Sequence, residues 1–272
     1  MLNSTNIKKI LFICIISHTY VFKLACNELY LDLMKKILIN SIYKDQDSGV
    51  ATSIQKKYDV AIREIGNDWP LVAHTMIGLH ALNNIQFCME DILKNNIPGD
   101  FIETGVWRGG ATIFMRAVLK AHNVTDRKVY VADSFQGLPP SNPKKYPADA
   151  GYNFNKYDAL KISEKQVKLN FAAYELLDEQ VVFLKGWFKD TLPNAPIEKL
   201  AILRLDGDLY ESTMDALKNL YHKVSIGGYI IVDDYMIPCC RKAIEDFRTQ
   251  NKITDKILYI DTLGRVYWQK TK

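Results

Sequence analysis

The acids Glu103, Asp133, Asp206, Asp208, Asp233 and Asp234 each stand at or just beyond the end of a short apolar run. Asp206, Asp233 and Asp234 offer hard carboxylate oxygens with no His or Cys among them, a donor set that suits Mg²⁺ and not Zn²⁺. Asp208, two residues past Asp206, can face the same cleft without holding the ion, which leaves it free to take a proton. Beside an ion that makes a hydroxyl more acidic, such a carboxylate serves as the general base for an oxygen nucleophile. A turn after a strand is the plainer reading of Asp233-Asp234, but it leaves Asp206 at the end of another strand unexplained.

A second group precedes it in DFIETGVWRGGATIF, residues 100–114. Gly105, Gly109 and Gly110 lie between an apolar strand and a helix, at a spacing that does not match the dinucleotide motif G-x-G-x-x-G. Alone they mean only a tight turn. With Asp133 ending the following strand, the turn reads as a place where backbone approaches an adenosine ligand whose ribose hydroxyls bond that acid. Glu103 would oppose a pyrophosphate, whereas it would welcome the cationic amino-acid end of a ligand. That contrast favours S-adenosylmethionine over NAD.

These acids need a scaffold that brings strand ends together. Residues 29–43, LYLDLMKKILINSIY, repeat apolar positions at helical spacing, and residues 69–95 read as one or two further helices. From residue 99 onward, strands and helices alternate. The strands are DFIET, KVYVADS, QVVFLKG, LAILRLD and GYIIVDD, followed by KILYID and RVYWQK. Helices fit at 111–122, 163–177, 212–221 and 239–250. Near-continuous apolar strands separated by helices predict an α/β fold with a mostly parallel sheet covered on both faces. The turn at 261–264 predicts a closing hairpin and an antiparallel strand. In such sheets the ligand sits beyond the carboxyl ends of the strands, which adds Gly186-Trp187-Phe188 to the candidate residues. The Pro-, Asn- and Tyr-rich stretch at 136–162 is long for a loop in a compact domain and reads as a lid.

A chain of 272 residues with 48% hydrophobic content and net charge +4 fits one sizeable domain with a cap. Its basic residues are scattered, with no aromatic-basic stripe for nucleic acid. The five cysteines are odd in number, with no C-x-x-C pair, and fit a reducing, cytoplasmic compartment. Residues 8–16, KKILFICII, are signal-like but too short to span a bilayer.

Seven long segments carry a resemblance over about 29–269. They are LYLDLMKKILINSIY, DWPLVAHTMIG, IPGDFIETGVWRGGA, DSFQGLPP, KYPADAG, LKGWFKDTLPNAPIEKLAILRLDGDLYESTMDALKNLY and GGYIIVDDY. The chain thereby resembles the macrocin O-methyltransferase family, metal-dependent sugar O-methyltransferases of macrolide and aminocoumarin pathways. The resemblance implies a Rossmann-like class I methyltransferase fold with a seven-stranded sheet and a helical N-terminal lid. It implies S-adenosylmethionine contacts from Thr75, Met76, Glu103, Thr104, Gly105, Gly109, Asp133, Ser134, Phe135, Trp187 and Phe188. It also implies Mg²⁺ on Asp206, Asp233 and Asp234, with Asp208 as general base. The chain departs from the family pattern in GYNFNKYDAL, in the lid, and ahead of residue 29.

The expected organisation is an extension at 1–28, a helical cap at 29–98 and a methyltransferase domain at 99–272. The expected reaction is methyl transfer to a sugar hydroxyl of a small-molecule glycoside, with no nucleic acid and no stable membrane span. Self-association is left open. The alternatives are an NAD-dependent oxidoreductase of similar sheet type and a nucleotide-binding module without chemistry. Glu103 and the paired aspartates speak against the first, and the full aspartate set against the second.

Overall fold

The computed structural model describes residues 27–50 and 53–272. The signal-like run at 8–16, with the expected extension up to residue 26, lies outside them. Strands β1 (Asp100–Thr104), β2 (Val129–Asp133), β3 (Val181–Lys185), β4 (Leu200–Leu205), β5 (Val224–Val232), β6 (Leu258–Tyr259) and β7 (Val266–Gln269) form one sheet. Its order is β3-β2-β1-β4-β5-β7-β6. Strands β1 to β5 run parallel, while β7 is antiparallel to both β5 and β6. The seven-stranded sheet and the antiparallel last strand are as expected. The chain steps outward from β1 to β3, then returns to β4 and proceeds the other way. The order therefore reverses between β1 and β4, and their carboxyl ends border a crevice.

Alternation within each strand sends side chains to two separate cores. Phe101, Val131 and Ile202 pack under the helix at 27–38 (α1) and under α3 (Gly78–Lys94), α4 (Gly110–Ala121) and α5 (Glu164–Ala173). Ile102, Tyr130 and Leu203 face the opposite way, against α7 (Tyr210–Leu220) and α8 (Pro238–Gln250), which come after the single-turn α6 (Phe188–Thr191). Burying such a side chain contributes about 1.5–3 kcal/mol, so both faces anchor the strand ends that carry the acids.

Three local readings change. The first helix ends at residue 38, where the chain turns through Asn40 in a left-handed conformation with φ 52°. Residues 69–77 are not helical: the Asp45 carboxylate accepts the N–H groups of Val72 and Ala73 at 2.6 and 3.2 Å, and Pro70 has no N–H to give. A short helix α2 (Val60–Ile65) also forms, begun by the Asp59 carboxylate on the Ala61 and Ile62 amides and ended by Gly66 at φ 70°.

The lid at 136–162 contains three single 3₁₀ turns, Pro147–Asp149, Phe154–Lys156 and Asp158–Leu160. Asp149 is fully buried, and its carboxylate accepts the Tyr210 and Glu211 amides at 2.7 and 3.2 Å. The lid thus caps the first turn of α7, the helix that follows the Asp206-Gly207-Asp208 turn. Farther along, the Ala159 carbonyl accepts from Trp107 Nε1 at 2.8 Å.

Candidate active site

Parallel register places Glu103 on β1 beside Arg204 on β4. A guanidinium buried in an otherwise apolar strand must find carboxylates. Arg204 Nη1 donates to Glu103 and, at 2.6 Å, to Asp206 Oδ2, while Nη2 donates to Asp233. Arg265, just before β7, lies 3.2 Å from Asp233 Oδ1 through Nε and also pairs with Asp261. The chain thus supplies two cations of its own to the strand-end acids. Arg204 and Arg265 are site residues that the strand pattern passed over. Their signal was present: an arginine inside LAILRLD has no bland explanation at a position that the sheet buries.

One oxygen of Asp206, Asp233 and Asp234 can be chosen so that all three lie within 4.8 Å of one another. Five carboxylates, with Glu103 and Asp208, face two guanidinium groups. Burial, and after it the crowding of these acids, raises the pKa of four of them. Burial, then the nearby Asp206 and Asp233 carboxylates, pushes Asp208 up to about 8. Burial raises Glu103 to about 8 despite Arg204, and burial together with Asp233 raises Asp206 to about 6. Asp234 is pushed well above the ordinary carboxylate range by burial and by Asp208. An oxygen-only set with surplus negative charge fits a hard divalent cation such as Mg²⁺.

Asp208 follows the strand end in a left-handed conformation, φ 58°, which Asp tolerates better than most residues. Its N–H donates to Asp234 Oδ2 at 2.9 Å, and its carbonyl accepts the Cys239 thiol at 3.3 Å. Both bonds use backbone, so the Asp208 carboxylate is left for other work.

The glycine turn is shaped by the protein itself. A Cβ on Gly105, at φ 93°, would stand 1.8 Å from the Asp206 carbonyl oxygen, and one on Gly109 would stand 2.8 Å from Val167 Cγ1. Close approach of a ligand is therefore not needed to explain either residue. The Asp133 carboxylate braces the same turn, accepting Val106 N–H at 2.9 Å and Phe135 N–H at 2.7 Å. Two oxygens have about four acceptor sites, so these bonds leave capacity for a ligand hydroxyl. Glu103 keeps one oxygen on Arg204, while its buried Oε2 has no hydrogen-bond partner. An orphaned buried carboxylate oxygen on a cavity wall suits a cationic group.

A cavity of about 850 Å³ unites most of the expected residues. Its wall includes Thr75, Met76, Glu103, Gly105, Asp133, Ser134, Trp187, Phe188, Asp206, Asp208, Asp233 and Asp234. Thr104, Gly109 and Phe135 are not part of that wall. Thr104 Oγ1 donates to the Arg204 carbonyl at 3.2 Å, and Phe135 sets its ring 5.9 Å from that of Phe183. The lid contributes Phe154, Tyr157 and Leu160, and the loop before α3 contributes Trp69, whose ring lies 5.7 Å from Tyr157. The cavity wall thus combines acids with aromatic rings. Phe154, Tyr157 and Leu160 lie in the stretch read as a lid, but no pattern marked them singly, and only the fold brings Trp69 to them.

Known proteins share this arrangement of elements. A family model described as macrocin-O-methyltransferase (TylF) matches residues 27–270. The demethyldecarbamoylnovobiocin O-methyltransferase of Streptomyces niveus is 53% identical over 249 residues, covering 90% of this chain and 95% of its own. The 8-demethyl-8-(2,3-dimethoxy-alpha-L-rhamnosyl)-tetracenomycin-C 4'-O-methyltransferase of Streptomyces olivaceus is 51% identical over 246 residues, covering 90% and 93%. The solved structure of the O-methyltransferase NovP superposes with a TM-score of 0.86 at 52% identity, covering 90% of this chain and 100% of that one.

Proposed function

The chain belongs to the macrocin O-methyltransferase family and is a methyltransferase, and from that premise we propose that it methylates a sugar hydroxyl of a glycosylated small molecule, using S-adenosylmethionine and Mg²⁺. The observation that carries this reading is the Asp206, Asp233 and Asp234 triad, which shares one cavity with Glu103, Asp133 and Asp208. The methyltransferase assignment displaces the oxidoreductase and the non-catalytic module as alternatives. Methylation of a rhamnosyl group, in the name of one relative, supports the sugar as acceptor.

In this reading Glu103 holds the ammonium group of S-adenosylmethionine, and Asp133 accepts from its ribose hydroxyls. Thr75, Met76, Gly105, Ser134, Trp187 and Phe188 form the remaining wall around it. Thr104, Gly109 and Phe135 act from behind that wall by shaping the turns. Asp206, Asp233 and Asp234 would hold Mg²⁺, which when bound supplies charge that lowers the pKa of a sugar hydroxyl. Asp208 receives the hydroxyl proton on its carboxylate, which lines the same cavity while its backbone makes the bonds that hold it there. The lid aromatics and Trp69 pack against the acceptor and exclude water, which brings the reacting oxygen and methyl group into register.

Residues 29–98 serve as the cap and 99–272 as the methyltransferase domain, a division supported by the cap's Trp69, Thr75 and Met76 on the cavity wall. The free thiols of Cys88, Cys239 and Cys240 support a reducing, cytoplasmic setting. No helix among the described residues is long and apolar enough to cross a membrane. The test is methyl transfer from labelled S-adenosylmethionine to a panel of glycosides, with and without EDTA. Activity that persisted in EDTA would remove the metal from the reading, and transfer to no sugar-bearing acceptor would remove the substrate class.

A further inference from the structure

Arg204 plays no part in the proposed proton and methyl movements, yet its side chain is fully buried at their centre. It meets acids that arrive from three strands: Glu103 on β1, Asp206 after β4 and Asp233 after β5. Nη1 serves Glu103 Oε1 and Asp206 Oδ2 together, and Nη2 serves Asp233 Oδ1. Each bond takes one oxygen of its carboxylate, which fixes the plane of the group and so the place of the other oxygen. For Glu103 that other oxygen is the buried, unpartnered Oε2.

The geometry points to Arg204 as a positioning residue that builds two cation sites at once without touching either cation. It aligns Glu103 toward the ammonium end of S-adenosylmethionine and aligns Asp206 with Asp233 toward Mg²⁺; this rests on the functional reading given above. The planar guanidinium fork sets three acceptor directions rigidly, which the single ammonium of lysine cannot do. Charge and alignment make opposite forecasts here. A positive charge beside two cation sites repels both ligands, so on charge alone its removal strengthens binding. If alignment governs, removal weakens binding, because carboxylates released from the fork turn away from a shared centre.

Isothermal titration of the full chain with MgCl₂, S-adenosylmethionine and adenosine, each alone, separates these. For Arg204→Met and Arg204→Lys the expected result is Mg²⁺ and S-adenosylmethionine affinity each about tenfold or more below wild type, the scale found when partners that orient metal ligands are removed. Adenosine, which lacks the amino-acid end, should bind within about twofold of wild type, and so reports intact folding. Where Arg204→Met does not fold, Arg204→Lys carries the test, since it keeps the charge and loses only the fork. Wild-type or tighter Mg²⁺ binding in either folded variant would overturn the proposal, as would equal losses for S-adenosylmethionine and adenosine. A wild-type protein that bound neither Mg²⁺ nor S-adenosylmethionine would sink the functional reading itself and, with it, the role given to Arg204, whereas losses confined to the variants are judged against Arg204 alone.

Discussion

The backbone N–H of Asp208 donates to Oδ2 of Asp234 at 2.9 Å, so the proposed base takes its position from a proposed metal ligand. This bond also secures the left-handed backbone of Asp208, at φ 58°. The two aspartates are consequently coupled in place but distinct in task, and substitutions can separate them.

Asp208→Asn should lower kcat by roughly 10²–10⁴-fold while Mg²⁺ affinity stays near wild type, because it removes a proton acceptor and not a metal ligand. Asp234→Asn keeps an acceptor for the Asp208 amide but loses charge from a hard-cation site, so excess Mg²⁺ should restore part of its activity. Asp234→Ala loses both and should not be restored. Metal titrations of activity would show the contrast. Recovery of Asp208→Asn with added Mg²⁺ would exchange the two assignments.

Glu103→Gln should weaken S-adenosylmethionine by at least tenfold, since a hydrogen bond to a charged group is worth about 1.5–3 kcal/mol. Adenosine has no ammonium group and should be little affected. Competition binding with the two ligands makes the comparison, and equal losses would show that Glu103 does not meet the amino-acid end.

Gly105→Ala should damage the metal site even though residue 105 is no ligand. The added carbon would stand 1.8 Å from the Asp206 carbonyl oxygen, so the end of β4 has to move. Overpacking of this kind, at a backbone angle of 93°, costs about 2 kcal/mol or more. A lower melting temperature with weaker Mg²⁺ binding is expected. Unchanged values of both would mean that the turn is more pliable than its packing implies.

Acid stability should depend in part on Asp178. The Arg116 fork bonds both its oxygens, at 3.0 and 2.5 Å, and this hydrogen bonding holds the Asp178 carboxyl below the usual carboxylate range against partial burial. A depressed folded-state pKa means stability that is fully present above the unfolded value, about 3.9, and lost as pH falls through the folded value. Asp178→Asn should therefore melt lower than wild type at pH 6–7, by about 2–4 °C for each kcal/mol lost. The gap should narrow as the pH falls below the unfolded value and close once it is below the folded one. A gap that stayed constant with pH would assign the loss to packing.

Much of this site was legible because acids at strand ends obey a rule of parallel sheets: Glu103, Asp133, Asp206, Asp208, Asp233 and Asp234 all reach one cavity wall. What escaped the sequence was set by contacts across long separations. Gly109 looked like room for a ligand, yet the neighbour that excludes its side chain is Val167 on α5. Arg204 was hidden in a run read for its apolar periodicity. Residues 69–77 carry enough apolar side chains to suggest a helix, but Asp45, far earlier in the chain, claims the Val72 and Ala73 amides. The six-residue α2 is too short for periodicity to show, although Asp59 and Gly66 bracket it with suitable caps.

The cap that Asp149 places on α7 divides the lid into a root tied to that helix and an outer part tied elsewhere. Lifting residue 149 would break its bonds to the Tyr210 and Glu211 amides, each worth about 0.5–1.5 kcal/mol net. Lifting 152–161 leaves both bonds intact and chiefly breaks the Trp107 contact to Ala159 and the meeting of Tyr157 with Trp69. The cheaper hinge therefore lies after Asp149, near Gly151. In the proposed reaction, opening the outer part of the lid would admit an acceptor while the turn that carries Asp206 and Asp208 keeps its place.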